Sequence, residues 1–198
     1  MGLPEGIGVA LKLCEAVQDL AAIQIIHRDL KPDNIMLLAH NEIRLLDLGL
    51  AYLPGIDAQD AVKPGGTLRY MAPELLQNAP ADARTEVYAL AVTIYRMFAG
   101  GAFPFGQREA VPLARLRPDL PGWLGVCLAR ALEGKPSARY DDAGAFAAAL
   151  QAGLVSGAEA QAKPRRWPMV TPLQGWRAAA IILGFGFLVL LLRALGVR

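Results

Sequence analysis

The residues best equipped for chemistry sit in one octet, His27-Arg28-Asp29-Leu30-Lys31-Pro32-Asp33-Asn34. It puts a carboxylate, an ammonium group and a carboxamide on a stretch too short to separate them. Transfer of a phosphoryl group to a hydroxyl needs such a set: a base for the hydroxyl proton, a cation for the moving negative charge, and oxygen ligands for the magnesium that bridges the phosphates. Further along, Asp47-Leu48-Gly49, Gly66-Thr67 and Ala72-Pro73-Glu74 follow in that order.

The elements around the octet must hold it in place. Val9, Leu13, Val17 and Leu20 recur at helical spacing, with Lys12, Glu15, Gln18 and Asp19 on other faces, so an amphipathic helix leads into the loop. Ile23 to Ile26, Ile35 to Leu38 and Ile43 to Leu46 are short β-branched and aliphatic runs, expected as strands that frame the octet and a turn at His40-Asn41. Thr85 to Ala99 is apolar nearly all round, the pattern of a buried central helix, and Gly100-Gly101 stops it. Two further helices are expected at Pro121 to Glu133 and at Asp141 to Leu150.

Together these motifs resemble the eukaryotic-type (Hanks-type) serine/threonine protein kinases of bacteria. That family's catalytic loop reads H-R-D-L-x-x-x-N and is followed by D-F-G and A-P-E. The resemblance implies that Asp29 orients and deprotonates the acceptor hydroxyl, that Lys31 neutralises the transferring phosphate, and that Asn34 and Asp47 hold Mg2+. Lys31, Asn34, Met36 and Asp47 would then meet ATP. Met36 would floor the adenine site, although an ordinary core methionine fits the sequence equally well. Lys31 together with Thr67 implies a protein substrate with a Ser or Thr acceptor.

The same resemblance gives His27 a packing role and pairs Arg139 with Glu74. Glu86 stands where the family usually has Asp, and its extra methylene is expected to shift the carboxylate that fixes the loop backbone. Ala91 and Leu48 are milder departures, from Gly and Phe. Between Asp47 and Glu74 the only Ser or Thr is Thr67, so phosphorylation of this segment is not expected in the usual way. Asp57 or Asp60 could instead pair with Arg28. The stretch from Phe105 to Pro112 is short for the helix that docks substrates there.

The expected fold is mainly α with a small β-hairpin region: a protein-kinase-like large lobe with its N-lobe absent, plus one transmembrane helix. Residues 1–152 would be the partial kinase domain, 153–177 a juxtamembrane linker and 178–197 the membrane span. Residues 1–26 contain neither a Gly-rich phosphate loop nor a V-A-I-K lysine, so the nucleotide site of this lobe alone would lack its roof. Either an upstream or separate N-lobe completes the site, or the chain is a degenerate remnant. The corresponding functions are a serine/threonine kinase, or a membrane-tethered pseudokinase or scaffold.

Ala178 to Leu192 is free of charge and reaches ~22 Å at the helical rise. Snorkelling by Arg177 and Arg193 would extend that reach toward the bilayer thickness. A buried helix is the alternative, though no polar face is visible. Lys163, Arg165, Arg166 and Arg177 precede the span, which keeps the domain cytoplasmic by the positive-inside rule. Net charge is only +2 and the basic residues cluster at the expected membrane end, so nucleic acid is not an expected partner. Cys14 and Cys127 form no metal or redox motif and are expected as reduced core thiols.

Overall fold

A computed structural model describes residues 1–39, 42–53, 67–106 and 110–162. The chain opens on helix α1, Leu3–Ala22, followed by a short hairpin of β1, Ile35–Leu37, and β2, Ile43–Leu45. Then come α2, Pro73–Leu76; α3, Ala83–Phe98; α4, Leu113–Leu116; α5, Gly122–Ala131; and α6, Ala143–Ala162. Single 3-10 turns lie at Pro32–Asn34 and Pro136–Ala138. The described residues are mostly helical, with one two-stranded antiparallel sheet in which Ile35 faces Leu45, Met36 faces Arg44 and Leu37 faces Ile43.

Helix α3 is the axis of the domain. Val87, Leu90, Ala91, Val92 and Ile94 are completely buried, so neighbours cover it on every side, as its all-round apolar sequence requires. Ile7, Ala10, Leu13 and Val17 of α1 join the same core, as do Leu124 and Leu128 of α5 and Phe146 and Leu150 of α6. A reciprocal capping box starts α3: Asp82 Oδ1 accepts from the Thr85 N–H at 3.0 Å, and Thr85 Oγ1 accepts from the Asp82 N–H at 2.9 Å. At its other end Gly100 and Gly101 take φ of 63° and 92°, left-handed values that turn the chain off the helix axis.

Two expectations differ from the fold. Ile23 to Ile26 is not a strand. Ile23 caps α1 and Gln24 takes a left-handed φ of 58°, so the run is a reversal out of the helix that keeps only one antiparallel bridge, Ile26 to Tyr52. Secondly, α6 does not stop at Leu150 but continues to Ala162, through the first residues of the segment expected as linker. Its glycines explain the difference. Side chains at Gly153 and Gly157, one turn apart, would collide with the Trp123 ring, so both glycines are the hollow that seats an indole rather than a source of slack.

The first compact unit covers Met1–Ala160. Apart from the last residues of α6, the second unit, Gln161–Arg198, lies outside the described residues, and with it the expected span at 178–197. Among the described residues no helix is long and apolar enough to cross a membrane. The turn at His40-Asn41 also lies outside them, as do Asp57, Asp60 and Gly66. Both cysteines are free, and burial pushes the Cys14 thiol up to about 12.

Candidate active site

The octet leaves the reversal after α1 and is held from beneath by α3. Leu30 is fully buried in the core, and its carbonyl accepts from Thr93 Oγ1 at 3.4 Å. Two residues earlier the backbone is strained, because Arg28 takes a left-handed φ of 63°, which a non-glycine residue adopts only when its surroundings impose it. Glu86, in the first turn of α3, is that imposition. Its Oε1 accepts from the Arg28 N–H at 2.9 Å and its Oε2 from the His27 N–H at 3.1 Å. The extra methylene expected to displace this carboxylate therefore does not prevent the two-pronged grip. Arg28 itself donates from Nε to Leu50 O at 2.7 Å and lies over the Tyr52 ring.

Burial pushes the Glu86 carboxyl up to about 7, against the two N–H donors and the Arg28 charge, which pull it down. The folded state thus holds the proton more tightly than the unfolded chain. Stability from this group is complete below the ordinary value of 4.5 and is lost as pH rises through about 7. Between pH 4 and pH 8 the wild type should lose on the order of 3 kcal/mol relative to Glu86→Gln, read from urea midpoints across pH. Parallel pH profiles for the two proteins would disprove this.

Above that support, three candidate residues converge. Lys31 Nζ donates to Asp29 Oδ2 at 2.8 Å and to Thr67 Oγ1 at 3.0 Å. Asn34 Nδ2 donates to the same Oδ2 at 2.8 Å and to the Asp29 carbonyl at 2.9 Å. The Thr67 N–H reaches Asp29 Oδ1 at 3.1 Å. Burial alone would raise the Asp29 pKa, but the hydrogen bonds from Lys31, Thr67 and Asn34 outweigh it and hold the carboxyl below its ordinary value. Asp29 is therefore ionised at neutral pH. Lys31 shifts upward, chiefly through its hydrogen bond to Asp29.

Asp47 follows β2 by two residues, exposed and in the left-handed region at φ 59°, with Oδ1 accepting from the Gly49 N–H at 3.0 Å. Its charge acts on Lys31 and His27 without a direct bond to either. Asn34 spends its amide nitrogen on Asp29, which leaves Oδ1 as the atom for a cation. Asn34 and Asp47 thus offer hard oxygen donors, a set that suits a magnesium ion completed by water and phosphate. Among the described residues no cluster of three or more His, Cys, Asp or Glu could hold a metal by itself.

Met36 is 44% exposed on β1, so the alternative of an ordinary core methionine does not hold. His27 is fully buried, its Nε2 lies 3.1 Å from Leu46 O, and burial holds its pKa down; it packs between loop and hairpin. Arg139, also buried, forks onto Glu74 at 2.6 and 2.7 Å as expected. Sequence reasoning missed the contact of the Thr67 N–H with Asp29, because a backbone N–H carries no residue signature. It also missed a group of arginines and aromatics beyond Thr67, which only the turn after α3 brings together.

Residues 5–116 match the protein kinase domain. Serine/threonine-protein kinase PknD of Chlamydia abortus is 33% identical over 71% of this chain and 18% of its own length. For serine/threonine-protein kinase Pkn1 of Myxococcus xanthus the figures are 33%, 81% and 26%. Tyrosine-protein kinase MasK, also of Myxococcus xanthus, is 33% identical over 65% of the chain and 22% of its own length. The chain thus spans about a quarter or less of each of these relatives. With more than half of its residues inside the family match and the Asp29, Lys31 and Asn34 cluster assembled on the loop that the family uses, this chain belongs to the protein kinase family.

Proposed function

We propose that the chain is the large lobe of a serine/threonine protein kinase that passes the γ-phosphoryl group of ATP to a protein hydroxyl. The observation that carries this reading is the convergence on Asp29 of Lys31, Asn34 and the Thr67 backbone. Asp29, held ionised, orients the acceptor hydroxyl. Because its pKa is low, it takes the proton late, once transfer has made that hydroxyl acidic. Lys31 stands beside it to meet phosphate charge, while Asn34 Oδ1 and Asp47 would hold Mg2+. ATP would supply the phosphoryl group, and the exposed Met36 would contribute to the surface that meets its base.

Preference for Ser or Thr over Tyr rests on the Lys31 to Thr67 hydrogen bond, which fixes the ammonium group close beside the base and narrows the room for an acceptor. A separate or upstream N-lobe would roof the nucleotide. The stretch at 178–197, free of charge as far as Leu192, is proposed as a single membrane span with the kinase domain on the cytoplasmic side, a reading supported by the basic residues that precede it. Incubation of the chain, completed by an upstream or separate N-lobe, with MgATP and matched Ser, Thr and Tyr peptides tests the activity. Phosphate on Ser and Thr alone supports it; phosphate on Tyr overturns the acceptor assignment, and no transfer favours the scaffold.

A further inference from the structure

Beyond Thr67 the chain runs into a group of residues that the transfer chemistry does not use. Arg69 follows Thr67 by two residues, so its Cα lies within about 7 Å of the Thr67 Cα, and Thr67 touches both Asp29 and Lys31. Arg96 comes from the last turn of α3. The guanidinium carbons of Arg69 and Arg96 are 4.0 and 4.3 Å from the centre of one ring, that of Phe103, and hence within about 8 Å of each other. Arg96 also lies 5.4 Å from the Tyr70 ring centre.

The fold builds this arrangement. Arg96 Nε donates to Gly101 O at 2.9 Å, and the Gly101 N–H donates back to Arg96 O at 2.8 Å. The left-handed Gly100 and Gly101 reverse the chain and return Phe103 onto Arg96. Tyr70 meets Phe103 edge-on at 5.5 Å, which brings the segment carrying Arg69 onto the same ring. An aromatic face fixes a cation without neutralising it.

Neither arginine has a carboxylate within ion-pair distance among the described residues. Asp33, which lines the same hollow as Arg96, makes no ion pair with it. Two cations within about 8 Å of each other, neither paired with a carboxylate among the described residues, repel each other and set up a local potential that an anion relieves. Guanidinium forks suit a carboxylate best.

We propose that Arg69 and Arg96, seated on Phe103, form a subsite for an acidic side chain of the protein substrate, within about three residues of the acceptor hydroxyl. The proposal rests on the kinase reading and adds a substrate preference to it. Peptides with one Ser acceptor and a single Glu walked through the flanking positions, offered with MgATP to the chain completed by its N-lobe, test it. One position should raise kcat/KM about tenfold, mainly through KM, and Arg69→Gln or Arg96→Gln should each erase most of that advantage. The charge-reversed pair Arg69→Glu with Arg96→Glu should move the preference to Lys at the same position, a gain that misfolding cannot imitate. Equal kcat/KM for Glu at every position overturns the subsite.

If no peptide is phosphorylated even with the N-lobe supplied, the kinase reading fails, and fluorescence anisotropy with the same peptides reads the subsite alone. Tighter binding of the Glu peptide than of its neutral parent, lost on charge reversal, upholds it. Equal binding overturns it.

Discussion

Replacing Asp29 with Asn should cut phosphoryl transfer by about 10^3, the scale on which a positioned general base contributes. The substitution keeps the shape of the side chain but reverses part of its hydrogen bonding. Asp29 Oδ2 accepts from both Lys31 and Asn34, and Oδ1 accepts from the Thr67 N–H. An amide has one oxygen to offer, so its NH2 must face a donor on one side or the other. Lost basicity and a loosened Lys31 therefore act together. Steady-state transfer to a Ser peptide, compared with wild type at saturating MgATP, gives the number. A thermal melt shows that the variant is folded, since the carboxylate lies at the edge of the core. Unchanged turnover would remove Asp29 from the mechanism.

The second large effect is on stability. Arg139→Ala should destabilise the domain by about 3–5 kcal/mol, the range for breaking a buried ion pair from one side. Arg139 spends its guanidinium on five acceptors: both oxygens of Glu74 and the carbonyls of Glu133, Arg84 and Gly134. Its ring neighbour is Tyr88, 4.9 Å away. Removal strands the Glu74 carboxylate and three carbonyls at once, a large share of the 5–15 kcal/mol that holds an ordinary domain together. Urea midpoints measure the loss. Arg139→Lys should fall between, because an ammonium group cannot fork. In the cycle with Glu74→Gln the two losses should not add, since both break one contact. A loss below about 1 kcal/mol would make the pair ornamental.

Much of the site was legible because its chemistry is short-range in sequence. Asp29, Lys31 and Asn34 share one turn, so their types and spacing nearly dictate their meeting. The Arg139 to Glu74 pair, 65 residues apart, was legible only through resemblance, as no local pattern ties the two. Where reading failed, the deciding contact was tertiary. Aliphatic residues at 23 to 26 looked like a strand by composition, yet their partner strand is β-bridge deep at one residue and Gln24 turns the chain away. Gly153 and Gly157 looked like linker residues until Trp123 was found lying on them. The Glu86 substitution looked damaging because a methylene lengthens the side chain, but the backbone at Arg28 has settled where both oxygens still reach.

The grip of Glu86 has a dynamic consequence. Its carboxylate belongs to the opening turn of α3, so His27 and Arg28 hang from a helix end, the part of any helix most prone to fray. When that turn opens, the strained Arg28 backbone is released with it. The amide protons of His27 and Arg28 should therefore exchange with solvent in step with those of the helix start, as one small cooperative unit. Asp82, through its cap on that turn, then governs how often His27 and Arg28 are let go. Loss of its cap, about 1 kcal/mol, would make such openings roughly fivefold more frequent.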